Sequence, residues 1–172
     1  MAGQLRRERL RREMTDEIIG TARLLLEKGG PSAISVRAIA RHVGVTTPAI
    51  YRYYPSLDAL LSAVSESVIS ELCAAAQSAR DQSGGMALGF RGWALAHPAS
   101  FRFALGLGHG AGGQTLMRRL PLLCVPPASV LGWATLCGLV LLELGCDPED
   151  LPADIGKLYA AAGLHGLTGP RE

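Results

Sequence analysis

The chain has 172 residues, 48% of them hydrophobic and 19% charged, an ordinary globular composition with length for one sizeable core or a small module joined to a larger one. Its net charge of +2 is unevenly divided, because residues 1–55 carry ten Lys/Arg against five Asp/Glu while residues 56–172 carry seven against ten. Its four cysteines (Cys73, Cys124, Cys137, Cys146) show no CxxC or Cys/His ligand spacing, which argues against a metal site and leaves reduced, structural thiols as the expectation.

Residues 1–9 are polar and Arg-rich, with no apolar stretch of the kind a secretory leader needs, and read as a flexible basic arm of a cytoplasmic protein. Leu10, Met14, Ile18, Ala22 and Leu26 then recur every four positions, one face of a helix that should end near Gly29 or Gly30, before Pro31. A second helix is expected from Ser35, whose hydroxyl suits an N-cap and whose neighbour Ile34 can staple onto Ile39. Gly44 permits a sharp turn and Val45 plugs it. Thr46 or Thr47 caps a third helix with Pro48 in its first turn, where a missing N–H costs nothing. Two short helices joined by a Gly-containing turn form a helix-turn-helix pattern.

Three of the four tyrosines fall within the third helix and the residues just after it: Tyr51, Tyr53 and Tyr54. At about 100° per residue, Ile50 and Tyr54 share an inward face. Pro48, Ala49, Tyr51 and Arg52 span the opposite arc, with Tyr53 at its border. Core packing explains Tyr54 but not Tyr51, Arg52 or Tyr53. A helix entering the major groove of duplex DNA explains them: Arg52 can donate to guanine or to phosphate, Thr47 to a base edge or a phosphate, Pro48 and Ala49 can touch a thymine methyl, and tyrosine hydroxyls can grip phosphate. The competing reading is an amphipathic surface helix that packs on a partner protein.

The stretch AISVRAIARHVGVTTPAIYRYYPSLDALLSAV, residues 33–64, resembles the DNA-binding domain of TetR-type transcriptional regulators, with the likeness running over roughly residues 10–65. The resemblance implies an all-α homodimer in which each subunit presents one reading head to operator DNA. It assigns DNA contacts to Thr47, Pro48, Ala49, Tyr51, Arg52 and Tyr53, with Thr46 beside them, and backbone contacts to Ser35 and Arg37. A lysine common in the family, used on a phosphate, is replaced here by Leu57; the arginines at 6, 7, 9, 11 and 12 offer electrostatic compensation.

Beyond Pro55 a long helix should carry Leu60, Leu61, Val64, Val68, Ile69 and Leu72 inward to about Arg80. Helices follow near 86–97, 99–105 and 129–145, with a last one at 153–166 and a Gly-rich segment at 106–128 that is a pocket lid or simply loose. No strand alternation is seen, so the fold class is all-α: arm 1–9, helix-turn-helix domain 10–55, and a helical ligand-binding and dimerisation domain 56–172. The segments at 89–106 and 133–144 resemble the ligand-binding domain of a TetR subgroup marked by a Trp-His-Gly pattern, with Trp133 and Gly138 kept and Cys137 in place of the histidine.

This second domain suits a small hydrophobic effector, with Phe90, Trp93, Phe101, Phe103, Met117 and Trp133 as candidate lining and His97 and Cys137 as polar handles. Each aromatic also fits ordinary core packing, and His97 before Pro98 fits a helix C-cap. The 129–145 helix is apolar nearly all round, but it is short for a membrane span and contains Glu143; paired with 153–166 and the same two from a second subunit, it makes a dimer interface. The function expected is a DNA-binding regulator, a repressor released by its effector, with no cofactor. A redox switch at Cys137 is the alternative within the same fold. An enzyme is the remote one, since no nucleophile motif or metal spacing occurs.

Overall fold

The computed structural model describes residues 2–79, 85–106, 130–155, 157–159 and 161. Helix α1 spans Ala2–Gly29, α2 Val36–Val43, α3 Thr47–Tyr51, α4 Leu57–Ser78, α5 Gly85–Ala96, α6 Pro98–Ala104 and α7 Val130–Gly145, with short 3-10 turns at Pro31–Ala33 and Pro148–Asp150. Residues 155, 157–159 and 161 are helical again, and the described residues contain no strand. The fold is all-α.

α1 begins at Ala2, so residues 2–9, expected as a mobile arm, are helical. Arg, Glu, Gln and Leu are good helix formers, and an Arg9–Glu13 pair one turn apart adds modest support. The buried stripe starts later than the periodicity suggested. Leu10 is 51% exposed and Met14 only partly covered, whereas Ile18, Ala22 and Leu26 have no exposed surface. The helix ends as expected: Gly30 takes φ 71° and its N–H bonds to the Leu26 carbonyl at 2.8 Å.

α4 is the spine of the molecule. Ser56 caps it, its Oγ accepting from Ala59 N at 3.1 Å, and Leu60, Val64, Val68, Ile69 and Leu72 are wholly buried. By length and composition α4 alone among the described helices could cross a membrane, with a mean hydropathy of 1.4, but its apolar stripe is consumed by this core. On one side α4 meets α1, which an Arg23–Glu71 ion pair also ties to it. On the other it packs most extensively on α5, an approach that Gly89 makes possible: a Cβ there would lie 2.6 Å from both the Ala75 carbonyl oxygen and the Ala79 Cβ. Cys73, also on α4, is disulfide-bonded, against the expectation of four reduced cysteines. Sequence spacing excludes a local clip but is silent about pairing between distant elements, which depends on how close the fold brings them. Cys137 and Cys146 are free.

The ends of the later helices are satisfied by distant residues. The Glu27 carboxylate of α1 accepts from Ser100 N at 3.0 Å, filling the vacant first turn of α6, and Arg102 donates to the Leu144 carbonyl at 2.9 Å near the end of α7. Between α5 and α7, Arg91 grips Glu143 through Nε at 2.8 Å and through a second guanidinium nitrogen, while the Tyr159 hydroxyl donates to the same carboxylate at 3.0 Å. The Arg91 guanidinium also lies over the Tyr159 ring, 5.3 Å from its centroid.

Helix α7 is not buried all round within this chain. Leu136 and Val140 face the core, while Leu142 is 58% exposed and Ala134 is exposed as well.

Candidate nucleic-acid interface

Local chemistry shapes the segment from Ser35 to Tyr54. The Ser35 Oγ accepts from Ala38 N at 3.1 Å and starts α2, whose Val36, Ile39 and Ala40 are buried beside Ile34. Gly44 closes α2 in the left-handed region at φ 77°, ψ 26°, where a Cβ would be strained, and Val45 N returns to the Ala40 carbonyl at 2.9 Å. That bond reverses the chain and tucks Val45 against the core.

Thr46 takes the N-cap position of α3 in extended backbone, but its side chain makes no capping bond. α3 itself is short, Thr47 to Tyr51, with Pro48 in its first turn. Ile50 at 1% exposure is its anchor, and the N–H groups of Tyr53 and Tyr54 both return to the Ile50 carbonyl.

The structure places the candidate contact residues together on the outer side. Arg37, Thr46, Pro48, Tyr51 and Arg52 are exposed, Tyr51 at 47%, and Ser35, Thr47 and Ala49 are half-buried between them and the core. Tyr54 turns inward as the helical wheel required, and its hydroxyl resists ionisation because it is buried and faces the carboxylates of Asp16 and Glu66. Tyr53 is partly buried against the core, with the Arg11 guanidinium 5.7 Å from its ring centroid. Here sequence reasoning missed something. A recess of ≈ 270 Å³ between α1 and the end of α3 is lined by Arg7, Leu10, Arg11, Arg52 and Tyr53. The signal was present, because Arg7 and Arg11 stand one turn apart, but Arg7 falls in the 1–9 segment expected to be a flexible arm, which has no face to read.

Residues 18–64 match the family model described as bacterial regulatory proteins, tetR family. The helix-turn-helix lies within that match. The chain is also similar to the HTH-type transcriptional regulators Mb1846 of Mycobacterium bovis and Rv1816 of Mycobacterium tuberculosis, 31% identical to each over 110 residues, which is 59% of this chain and 47% of theirs. It thus spans about half the length of the curated relatives it matches. A solved structure of a protein of unknown function from Rhodococcus sp. RHA1 shares the fold, with a TM-score of 0.64 at 24% identity over 89% of this chain and 93% of that one. The matched segment takes in the second half of α1, all of α2 and α3 and the start of α4, and so includes the exposed residues of α2 and α3 described above.

The candidate effector residues lie in the second half of the chain. Phe90, Phe101 and Phe103 are buried, the first two as an edge-to-face pair with centroids 5.6 Å apart. Trp93 is buried too and stacks on His97 at 4.7 Å. Both the backbone N–H and Nδ1 of His97 lie 3.0 Å from the Trp93 carbonyl, so His97 terminates α5. Met117 and the side chain of Trp133 lie outside the described residues, as do 107–129 and the end of the 153–166 helix. Desolvation pushes the thiol of the half-buried Cys137 up to about 12, which disfavours its thiolate at neutral pH and speaks against a redox switch there.

Proposed function

We propose that this protein is a DNA-binding transcriptional regulator that works as a homodimer, with α3 as the recognition helix of each subunit. The observation that carries the reading is the outward display of Thr46, Pro48, Tyr51 and Arg52 on a TetR-type helix-turn-helix whose inner face is fully used by Ile39, Ala40 and Ile50. Thr47, Pro48 and Ala49, at the start of α3, would meet base edges. Ser35 and Arg37, at the start of α2, meet backbone, and Tyr51 and Tyr53 set register on phosphates. The dimer is inferred from α7: Leu142 and Leu158 are exposed on the last helices, and a second copy of the same surfaces would cover them.

We further infer repression relieved by a small, largely apolar effector. Among the described residues, Trp93 Nε1 and Ser100 Oγ are buried with no hydrogen-bond partner, an arrangement that a ligand with acceptor oxygens would satisfy. Phe90, Phe101, Phe103 and Cys137 are the described residues we assign as its contacts, with Met117 and Trp133 as candidates from the sequence alone. Displacement of α4, which joins the core to the reading head, would alter the separation of two heads that must fit half-sites about 34–36 Å apart.

The test is selection of a target from a random duplex library with the full chain, followed by a mobility shift at fixed salt. Tyr51→Ala should weaken the selected site by about a hundredfold, the loss of a charge-assisted phosphate bond worth about tenfold in each of the two heads. Equal affinity for selected and scrambled DNA would refute the regulator reading. Specific binding that no apolar compound disturbs would refute the effector part alone.

A further inference from the structure

The arginine-lined recess beside α3 is the feature that the recognition-helix reading leaves unused. Arg7 and Arg11 are exposed on α1, Arg52 is exposed just past α3, and all three line one recess with Tyr53 and Leu10. No carboxylate lines it, and among the described residues none of the three guanidinium groups takes part in a salt bridge, although Arg9, on the same helix, pairs with Glu13. Three like charges gathered around one recess repel unless an anion enters. The Arg11 guanidinium lies over the Tyr53 ring, which steadies it toward the recess. Tyr53 therefore couples the amino-terminal part of α1, otherwise solvent-exposed, to the end of α3.

Resting on the regulator reading, we propose that Arg7, Arg11 and Arg52 form a cradle for a single DNA backbone phosphate in each half-site. The first helix then belongs to the DNA interface, and Arg52 is a phosphate ligand rather than a reader of guanine. Two observations set this choice for Arg52. It follows the last residue of α3, whereas base edges are met by the start of a recognition helix. It also shares the recess with two arginines of another element, a set of donors suited to a tetrahedral anion with several oxygens. Leu57, at the start of α4, has no charge with which to make a comparable grip.

The experiment uses the full-length protein on its selected duplex, with single phosphates replaced one at a time by neutral methylphosphonate. For the wild-type chain, one position in each half-site should cost about tenfold in affinity, the scale of a charge-assisted hydrogen bond. In Arg11→Ala and in Arg52→Ala, methylphosphonate at that same position should have no further effect. Arg7→Ala/Arg11→Ala should weaken selected and scrambled DNA by the same factor and lower the salt slope by about two phosphates per dimer, while Arg7→Lys/Arg11→Lys should keep the slope. The cradle is overturned if Arg11→Ala and Arg52→Ala lose sensitivity at different phosphates, or if Arg11→Ala keeps the full wild-type pattern. It is also overturned if Arg52→Ala relaxes preference at one base pair. Wild-type protein without sequence preference would instead overturn the regulator reading beneath it.

Discussion

The helix-turn-helix and the layer of α5, α6 and α7 are both helical and both buried on one face, yet they are held in different ways. In the first, the helix ends are satisfied from within a few residues: Ser35 caps Ala38, Gly44 returns to Ala40, and Ser56 caps Ala59. In the second, the partners are far apart in the chain. Glu27 serves Ser100 across 73 positions, Arg91 meets Glu143 across 52, and Arg102 reaches Leu144 across 42. A segment closed by its own neighbours can be read from local rules and can present its outer face to a partner without disturbing its frame. A segment closed by distant partners depends on the whole fold, and a ligand that moves one helix there is felt by the others.

The comparison is broken most strongly at Glu143. Its side chain is only 10% exposed and holds both Arg91 and Tyr159, so Glu143→Ala should cost about 3 kcal/mol in urea unfolding, as expected for stranding a partly buried cation. The pH profile tests the same site in two directions. Hydrogen bonds from Arg91, and then from Tyr159, hold the Glu143 carboxyl below its usual range. Its contribution is therefore complete above the ordinary carboxylate value of about 4.3 and is lost as the pH falls through the lower folded value. Burial, and then the bond to Glu143, raises the Tyr159 hydroxyl. Stability from that source is complete below the unfolded tyrosine value of about 10 and falls as the pH rises beyond it. Glu143→Gln should flatten the acid limb and Tyr159→Phe the alkaline one.

A smaller effect is expected where α4 and α5 touch. Gly89→Ala places a methyl group against the Ala75 carbonyl and should cost about 2 kcal/mol, whereas at Gly92, where nothing lies within 4 Å of an added Cβ, the same change should be near neutral or slightly stabilising. The smallest effect belongs to the local region. Ser35→Ala removes one cap and should cost about 1 kcal/mol, and Ser35→Asp should recover most of it. A loss at Ser35 as large as that at Glu143 would show that the helix-turn-helix is no more self-contained than the other half.

The helix-turn-helix was largely legible because its signals are short-range. A cap, a left-handed glycine and a proline in a first turn each constrain three or four adjacent residues, so one pass along the chain orders α2 and α3 and shows which arc of α3 has no core to face. The recess was not legible. It needs Arg7 and Arg11 on a formed helix and that helix beside Tyr53, and neither condition is written near Arg52. The same holds for the aromatic candidates: periodicity marks Phe90, Phe101 and Phe103 as apolar, but only packing shows that two of them form one edge-to-face pair.

By itself, the sequence determined the helical class, the start and stop of the helix-turn-helix, the inward turn of Ile50 and Tyr54, and the exposure of Tyr51 and Arg52. Tertiary structure alone decided that the arginines of α1 stand beside Arg52 and Tyr53, that Cys73 is bonded, that desolvation raises the Cys137 thiol, and that Arg91, Glu143 and Tyr159 form one network. The physical reason is range. Backbone capping and helical periodicity act over a turn or two, whereas charge pairing, burial and disulfide geometry depend on which distant residues the fold brings within a few ångströms.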